Sequence, residues 1–274
     1  MLGYSKVDGE SDLFEHTDGT YIYARTTNAV QFVPLLKTQT EKFTDFLDRE
    51  IAGYEFVANG PLYSTTRMNR YRAGLAISPS DINTNGNVYL NGSVVDGRAS
   101  PQGFYINYNG GYQFGEGEPS NPGNAFSGLG PLIIQNYRPS SNFPRPVIFN
   151  DVNVYDQAVE QNPPPKLTGP PEQIHEDNLE RRSSGTIASY GNGQGIMAIG
   201  TSSKTGMLYV VFREDGASRE AEPLSAIEHF RHLQCDNAVF LDGSTSITAR
   251  TKSGYYATPS GRKNNSIEVG FGLV

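Results

Sequence analysis

Three short apolar runs near the C-terminus constrain the fold most. Gly195–Gly200 (GIMAIG), Met207–Phe212 (MLYVVF) and Asn237–Leu241 (NAVFL) are nearly unbroken hydrophobic segments, each too short for a core helix. Only Ser202-Ser203-Lys204-Thr205-Gly206 parts the first two, so they predict a β-hairpin buried on both faces. Glu222-Pro223 then opens a helix in which Leu224, Ile227, Phe230 and Leu233 recur three apart and form one apolar stripe. Strand, helix, strand at these lengths predicts a right-handed βαβ crossover. It places Asp242 at the carboxyl edge of its strand, where open α/β sheets hold ligand groups.

Upstream, Leu36, Phe43, Phe46, Leu47 and Ile51 recur at intervals of three and four and predict a helix over Leu35–Ile51, with strand material around Thr20–Ala24 before it. Val, Ile, Tyr and Phe then cluster in Tyr54–Ala58, Leu75–Ile77, Asn87–Leu90, Phe104–Tyr108, Tyr112–Phe114 and Leu132–Ile134. These read as strands, with Asn109-Gly110-Gly111 the strongest hairpin turn. From Asn136 to about Arg182 proline recurs, including Asn162-Pro163-Pro164-Pro165, and such a stretch suits neither a central strand nor a long helix. It reads as an excursion over the surface, with an interdomain linker or a partner-binding polyproline arm as alternatives. The expected architecture is α+β (mixed α/β), a mixed β-sheet core with a few packed helices. Residues 1–274 form one domain carrying the excursion at about 136–182.

With 22 basic and 29 acidic residues the formal charge is −7, which disfavours nucleic acid as a partner. The single cysteine, Cys235, precedes an apolar strand and reads as inert packing; one thiol is too few for a disulfide or a thiolate metal site. The opening residues show no basic start followed by an apolar stretch, so no signal peptide is expected, and no apolar window is long enough to span a membrane. A soluble protein is expected, its location left open between the cytoplasm and, if a leader has been removed, a virion or the cell exterior.

The segment Leu233–Ser246, LQCDNAVFLDGSTS, resembles the signature of the phosphodiester glycosidase domain family: a helix end, an apolar strand, then Leu241-Asp242-Gly243 followed by Ser244-Thr245-Ser246. Phe56-Val57-Ala58-Asn59-Gly60 with Tyr63, Gly103-Phe104-Tyr105-Ile106 with Asn109-Gly110, and Ser127-Gly128-Leu129-Gly130-Pro131-Leu132 are similar to further family segments in the same order. The LDGS form is closer to the family's bacterial branch. Ile196-Met197 stands where many members carry Arg-Thr. The resemblance implies a hydrolase of glycosyl phosphodiesters or a related sugar–phosphate linkage. A non-enzymatic glycan-binding or structural (virion or surface) protein that keeps the scaffold is the alternative.

A phosphate monoester is a weak base and leaves without much help from an acid, so one carboxylate suffices where ordinary glycosidases need two. On the resemblance, Asp242 is the catalytic candidate. Asn59, Gly60, Gly130, Pro131, Gly243, Ser244 and Ser246 are candidates for binding the sugar phosphate, with Arg67 and Arg70 (and nearby Arg72) supplying cations. Arg181 and Arg182 are further basic residues. Glu116 and Glu118 are candidates for a second carboxylate, though an exposed acidic loop explains them as well. His229 and His232, three apart on the expected helix, read as surface histidines rather than metal ligands. No cofactor is identified, and a divalent cation lacks sequence support. The expected partners are a sugar phosphate or glycan and a protein binding the proline-rich arm.

Overall fold

A computed structural model of the chain describes residues 3–37, 41–61, 86–96, 104–129, 132–135, 138–139, 195–214, 225–243 and 246–274. The chain begins with strands β1 (Tyr4–Lys6), β2 (Leu13–His16), β3 (Tyr21–Thr26) and β4 (Phe32–Leu36). Helix α1 (Phe43–Glu50) follows, ends in a 3-10 turn (Ile51–Gly53) and leads into β5 (Phe56–Asn59). The middle is all strand: β6 (Val88–Leu90), β7 (Ser93–Asp96), β8 (Phe104–Tyr108), β9 (Tyr112–Glu116), β10 (Asn124–Leu129), β11 (Leu132–Gln135) and β12 (Arg138–Pro139). The C-terminal part holds β13 (Ile196–Ser202), β14 (Met207–Arg213), helix α2 (Ser225–His232), β15 (Asn237–Phe240), β16 (Ala249–Thr251), β17 (Tyr255–Ala257), helix α3 (Gly261–Ser266) and β18 (Val269–Leu273).

These strands make three sheets, ordered β1-β2-β3-β14-β13-β15-β11-β12, β7-β6-β10-β8-β9 and β17-β16-β5-β18-β4. Every hydrogen-bonded pair among the described residues is antiparallel. The protein is therefore β-rich, with helix confined to three short segments among the described residues, and the expected mixed α/β class is incorrect. The predicted crossover takes a different form. Strands β14 and β15 do run parallel in one sheet with α2 between them in sequence, but β13 lies between them and pairs antiparallel with both.

The apolar runs are covered on both sides as expected, but on one side the cover is sheet rather than helix. Met197 and Ile199 of β13, Leu208, Val210 and Phe212 of β14, and Val239 of β15 face a central core shared with Phe56, Phe271, Phe126, Ile106 and Val88 of the other two sheets. Their alternate neighbours Ile196, Ala198, Tyr209, Val211, Ala238 and Phe240 face a second cluster closed by Ala226 and Phe230 of α2 and by Leu233. Burial on both faces gives a continuous hydrophobic strand whether the cover is a helix or another sheet. On the far side, Phe43, Phe46 and Leu47 of α1 cover Leu35, Val57 and Ile267.

The predicted helix over Leu35–Ile51 is shorter than expected. Leu35 and Leu36 belong to β4, which pairs with β18 at the edge of its sheet, where Pro34 is tolerated because no strand among the described residues pairs with its other side. The hairpins β13–β14 and β8–β9 form as expected, with Ser202 opposite Met207 and Tyr108 opposite Tyr112. The expected strand at Leu75–Ile77, residues Glu222 to Leu224 and all but two residues of the 136–182 excursion lie outside the described residues.

Gly200 marks the tightest point where α2 meets the sheet. A Cβ there would stand 2.6 Å from the Asn237 carbonyl oxygen, 2.8 Å from the Ala238 Cβ and 2.9 Å from the Phe230 ring. Backbone cannot swing aside as a flexible side chain can. Gly200→Ala is therefore expected to cost about 1–3 kcal/mol, read as an earlier midpoint in urea unfolding.

Candidate functional site around Asp242

Where β15 ends, Leu241 still pairs in the sheet, its amide donating to the Met197 carbonyl at 2.9 Å, while Asp242 leaves it and reaches across to a second sheet. The Asp242 amide donates to the Gly60 carbonyl at 3.1 Å, and the Gly60 amide donates to Val269 at 2.9 Å. The ends of β15 and β5, from two different sheets, are thereby tied together. Both glycines are required by packing: a Cβ on Gly60 would come within 3.1 Å of the Phe126 ring and the Val269 carbonyl oxygen, and one on Gly243 within 2.9 Å of the Gly195 carbonyl oxygen.

Asn59 completes the joint. It is 1% exposed; its Nδ2 donates to the Asp242 carbonyl and its Oδ1 accepts from the Thr248 amide, both at 2.9 Å. The side chain bridges the two ends of the loop from Asp242 to Thr248.

The Asp242 carboxyl is 3% exposed, and among the described residues its Oδ2 has no hydrogen-bond partner. Burial pushes its pKa up to about 6, against the lowering influences of the Lys263 ammonium, the Ser246 hydroxyl and the Gly243 amide. Ser246 stands near enough to favour the charged form, yet its Oγ closes no bond of good geometry among the described residues. A buried carboxyl raised by desolvation beside a cation is a candidate functional group.

Asn59, Gly60, Asp242, Gly243 and Ser246 are thus brought together. Gly130, Pro131, Ser244, Arg67, Arg70, Arg72, Arg181 and Arg182 lie outside the described residues. Lys263, on α3, was missed by sequence reasoning because GRKNNS has no apolar period to mark it as a helix over the site. Glu116 is exposed, whereas Glu118 is half-buried and accepts from the Ser127 hydroxyl at 2.5 Å and from the Tyr89 hydroxyl. Cys235 is buried and its thiol pKa is pushed up by that burial, in keeping with a packing role. The surface reading of the histidines holds for His232 and fails for His229, which is 6% exposed and bonded to Asp18 and Tyr4. No helix among the described residues is long and apolar enough to cross a membrane.

No protein-family model matches the chain, and no curated protein does either. Among solved structures it is similar to the catalytic domain of zebrafish N-acetylglucosamine-1-phosphodiester α-N-acetylglucosaminidase auto-inhibited by its pro-peptide. That likeness has a TM-score of 0.53 at 12% identity and covers 99% of this chain and 86% of the zebrafish one. A hypothetical protein from Synechocystis (TM-score 0.46, 9% identity, 98% of this chain and 60% of that one) also aligns. So does a putative exported protein from Burkholderia pseudomallei (0.49, 10%, 96% and 74%). The zebrafish likeness establishes a distantly shared fold.

Proposed function

We propose that the chain is a hydrolase of glycosyl phosphodiesters, or of a related sugar–phosphate linkage, with Asp242 as its catalytic carboxylate. The observation that carries this reading is the buried Asp242 carboxyl, its Oδ2 without a partner among the described residues and its pKa raised to about 6, at the junction of two sheets. The fold shared with a glycosyl phosphodiesterase supports it. With that pKa the group is mostly ionised at neutral pH yet remains a better base than an ordinary aspartate. It then attacks the anomeric carbon, or takes a proton from the water that does, as the C1–O bond breaks and the phosphate leaves without needing a proton.

The departing phosphate gathers negative charge, which the overall charge of −7 opposes. Lys263, already within electrostatic reach of Asp242, is the described cation placed to offset it, together with the Gly243 amide and the Ser246 hydroxyl. Arg67, Arg70 and the Gly130-Pro131 backbone complete the proposed binding set. Asn59 serves this reading by fixing the loop that carries Asp242.

The test is release of free sugar from a panel of glycosyl 1-phosphodiesters, nucleotide sugars included, by the purified full chain. Lys263→Met is expected to raise KM about tenfold, the worth of one charge-assisted phosphate contact. Stabilisation by sugar phosphates with no turnover of any panel member would replace the enzyme reading with that of a binding module.

A further inference from the structure

A second cluster of titratable side chains joins α2 to the turn between β2 and β3, and uses none of the residues around Asp242. His229 Nε2 lies 3.2 Å from Asp18 Oδ2, and His16 Nδ1 lies 3.0 Å from Asp18 Oδ1. One ligand atom from each of the three residues can be chosen so that all lie within 4.8 Å of one another. The imidazoles meet edge to face at 5.1 Å, and the Tyr4 hydroxyl bonds the other nitrogen of His229, Nδ1.

We propose that His16, Asp18 and His229 form a binding site for a divalent transition-metal cation of the zinc class, with Tyr4 fixing the orientation of His229. Two imidazoles and one carboxylate are donors for zinc and its first-row neighbours, whereas magnesium and calcium take oxygen ligands. A zinc ion bonding at about 2.0–2.1 Å sets tetrahedral donors about 3.3 Å apart; each His–Asp contact, made to a different carboxylate oxygen, is near that spacing, and a set with one atom per residue fits within 4.8 Å. Closing the wider gap asks only for small side-chain rotations of His16 and Asp18, which are partly exposed.

The proton arrangement fits as well. Without a cation, His229 presents its Nε2–H to the Asp18 carboxylate, while His16 Nδ1 lies against that carboxylate and accepts from the Asp18 amide at 3.4 Å. When an ion takes those positions, the His229 proton moves to Nδ1 and is donated to the Tyr4 oxygen, the outer-sphere contact that metal-bound histidines ordinarily make. Asp18 is already held in place on its ligand side, its Oδ1 accepting from the Thr20 amide at 2.8 Å. Buried Arg213 also senses the Asp18 charge and places a like charge near a bound cation. The expected affinity is accordingly weaker than that of a closed four-ligand zinc centre. Three protein donors leave a coordination position for water.

The experiment uses untagged full-length protein stripped with a chelator, then dialysed against Zn²⁺ and assayed for bound metal. One zinc per chain is expected, unaffected by excess Mg²⁺, with a rise in Tm of about 5–10 °C at a hundredfold excess over Kd. His16→Ala and Asp18→Asn, both at partly exposed positions, should weaken binding at least about tenfold, and Tyr4→Phe by about tenfold through the loss of its outer contact. Co²⁺ substitution reads the same site without any variant, through the visible absorption of a four-coordinate nitrogen–oxygen centre. Absence of that absorption, no retained zinc, or variants that bind zinc as the unaltered chain does would each overturn the proposal. Sugar release plays no part in these readouts, so the outcome is independent of Asp242.

Discussion

Asp242→Asn is expected to make the protein more stable and, on a glycosyl phosphodiester, inactive. The two effects share one cause. In the unfolded chain this carboxyl titrates near 3.8, and in the folded protein burial moves it to about 6. Stability from the protonated group is fully present below pH 3.8 and is lost as pH rises through about 6, because the unfolded chain releases the proton first. A shift of about two pH units corresponds to about 3 kcal/mol once the group is ionised. Asparagine keeps the shape and removes the charge; the shift is already net of the favourable contributions of Lys263, Ser246 and the Gly243 amide, so asparagine recovers about 1–3 kcal/mol once the cost of burying its new amide N–H groups is set against it. In a chain of this size that is a rise in Tm of about 3–9 °C at pH 8. Near pH 4, where aspartate and asparagine are both neutral in the folded protein, the two melting curves should nearly coincide. On the proposed reading, turnover should fall at least about 10³-fold, and the unaltered chain should lose kcat/KM below about pH 6 as the base is protonated. A gain in stability with loss of activity is the signature of a residue held in an unfavourable state for its chemistry. A variant with lower Tm at both pH values would instead make Asp242 a structural group.

The same site indicates what could be read from the chain and why the rest could not. Asp242 at the end of an apolar strand is a local pattern, and the strands Ile196–Ser202, Met207–Arg213 and Asn237–Phe240 follow such patterns closely, as do both hairpins. The fold class is not local. Met197 and Ile199 look alike whether a helix or another sheet covers them, and their cover comes from Phe56, Phe126 and Phe271, far away in sequence. Asn59-Gly60 reads as a tight turn, yet Gly60 runs on to pair with Val269 and Asp242 across a sheet junction that sequence spacing does not encode. Lys263 and the grouping of His16 and Asp18 with His229 likewise depend on how the sheets are laid together. The helical spacing of His229 did separate it from the apolar stripe, but a polar cluster buried that position all the same.

Asn59→Ala is expected to lower Tm by about 5–15 °C and to reduce turnover through displacement of Asp242. The side chain satisfies two buried backbone groups at once, the Asp242 carbonyl and the Thr248 amide, each at 2.9 Å. Alanine leaves both without a partner in a place water does not reach. At about 1–3 kcal/mol for each, the cost is about 2–6 kcal/mol, which converts to that fall in Tm at this chain length. Asn59→Asp separates the two bonds. It can still accept from Thr248 but has no donor for the Asp242 carbonyl, and it adds a negative charge beside a carbonyl oxygen. Its stability should therefore fall as pH rises, with the loop from Asp242 to Thr248 the first to loosen. A shift of about 1 Å at Asp242 is enough to cost about a hundredfold in kcat, so an anchor predicts a kcat effect together with the thermal one. A residue that instead touched the sugar directly would lose substrate affinity while keeping its Tm. The ratio of the KM change to the Tm change across Asn59→Ala and Asn59→Asp thus decides between ligand and anchor, and the two buried hydrogen bonds favour the anchor.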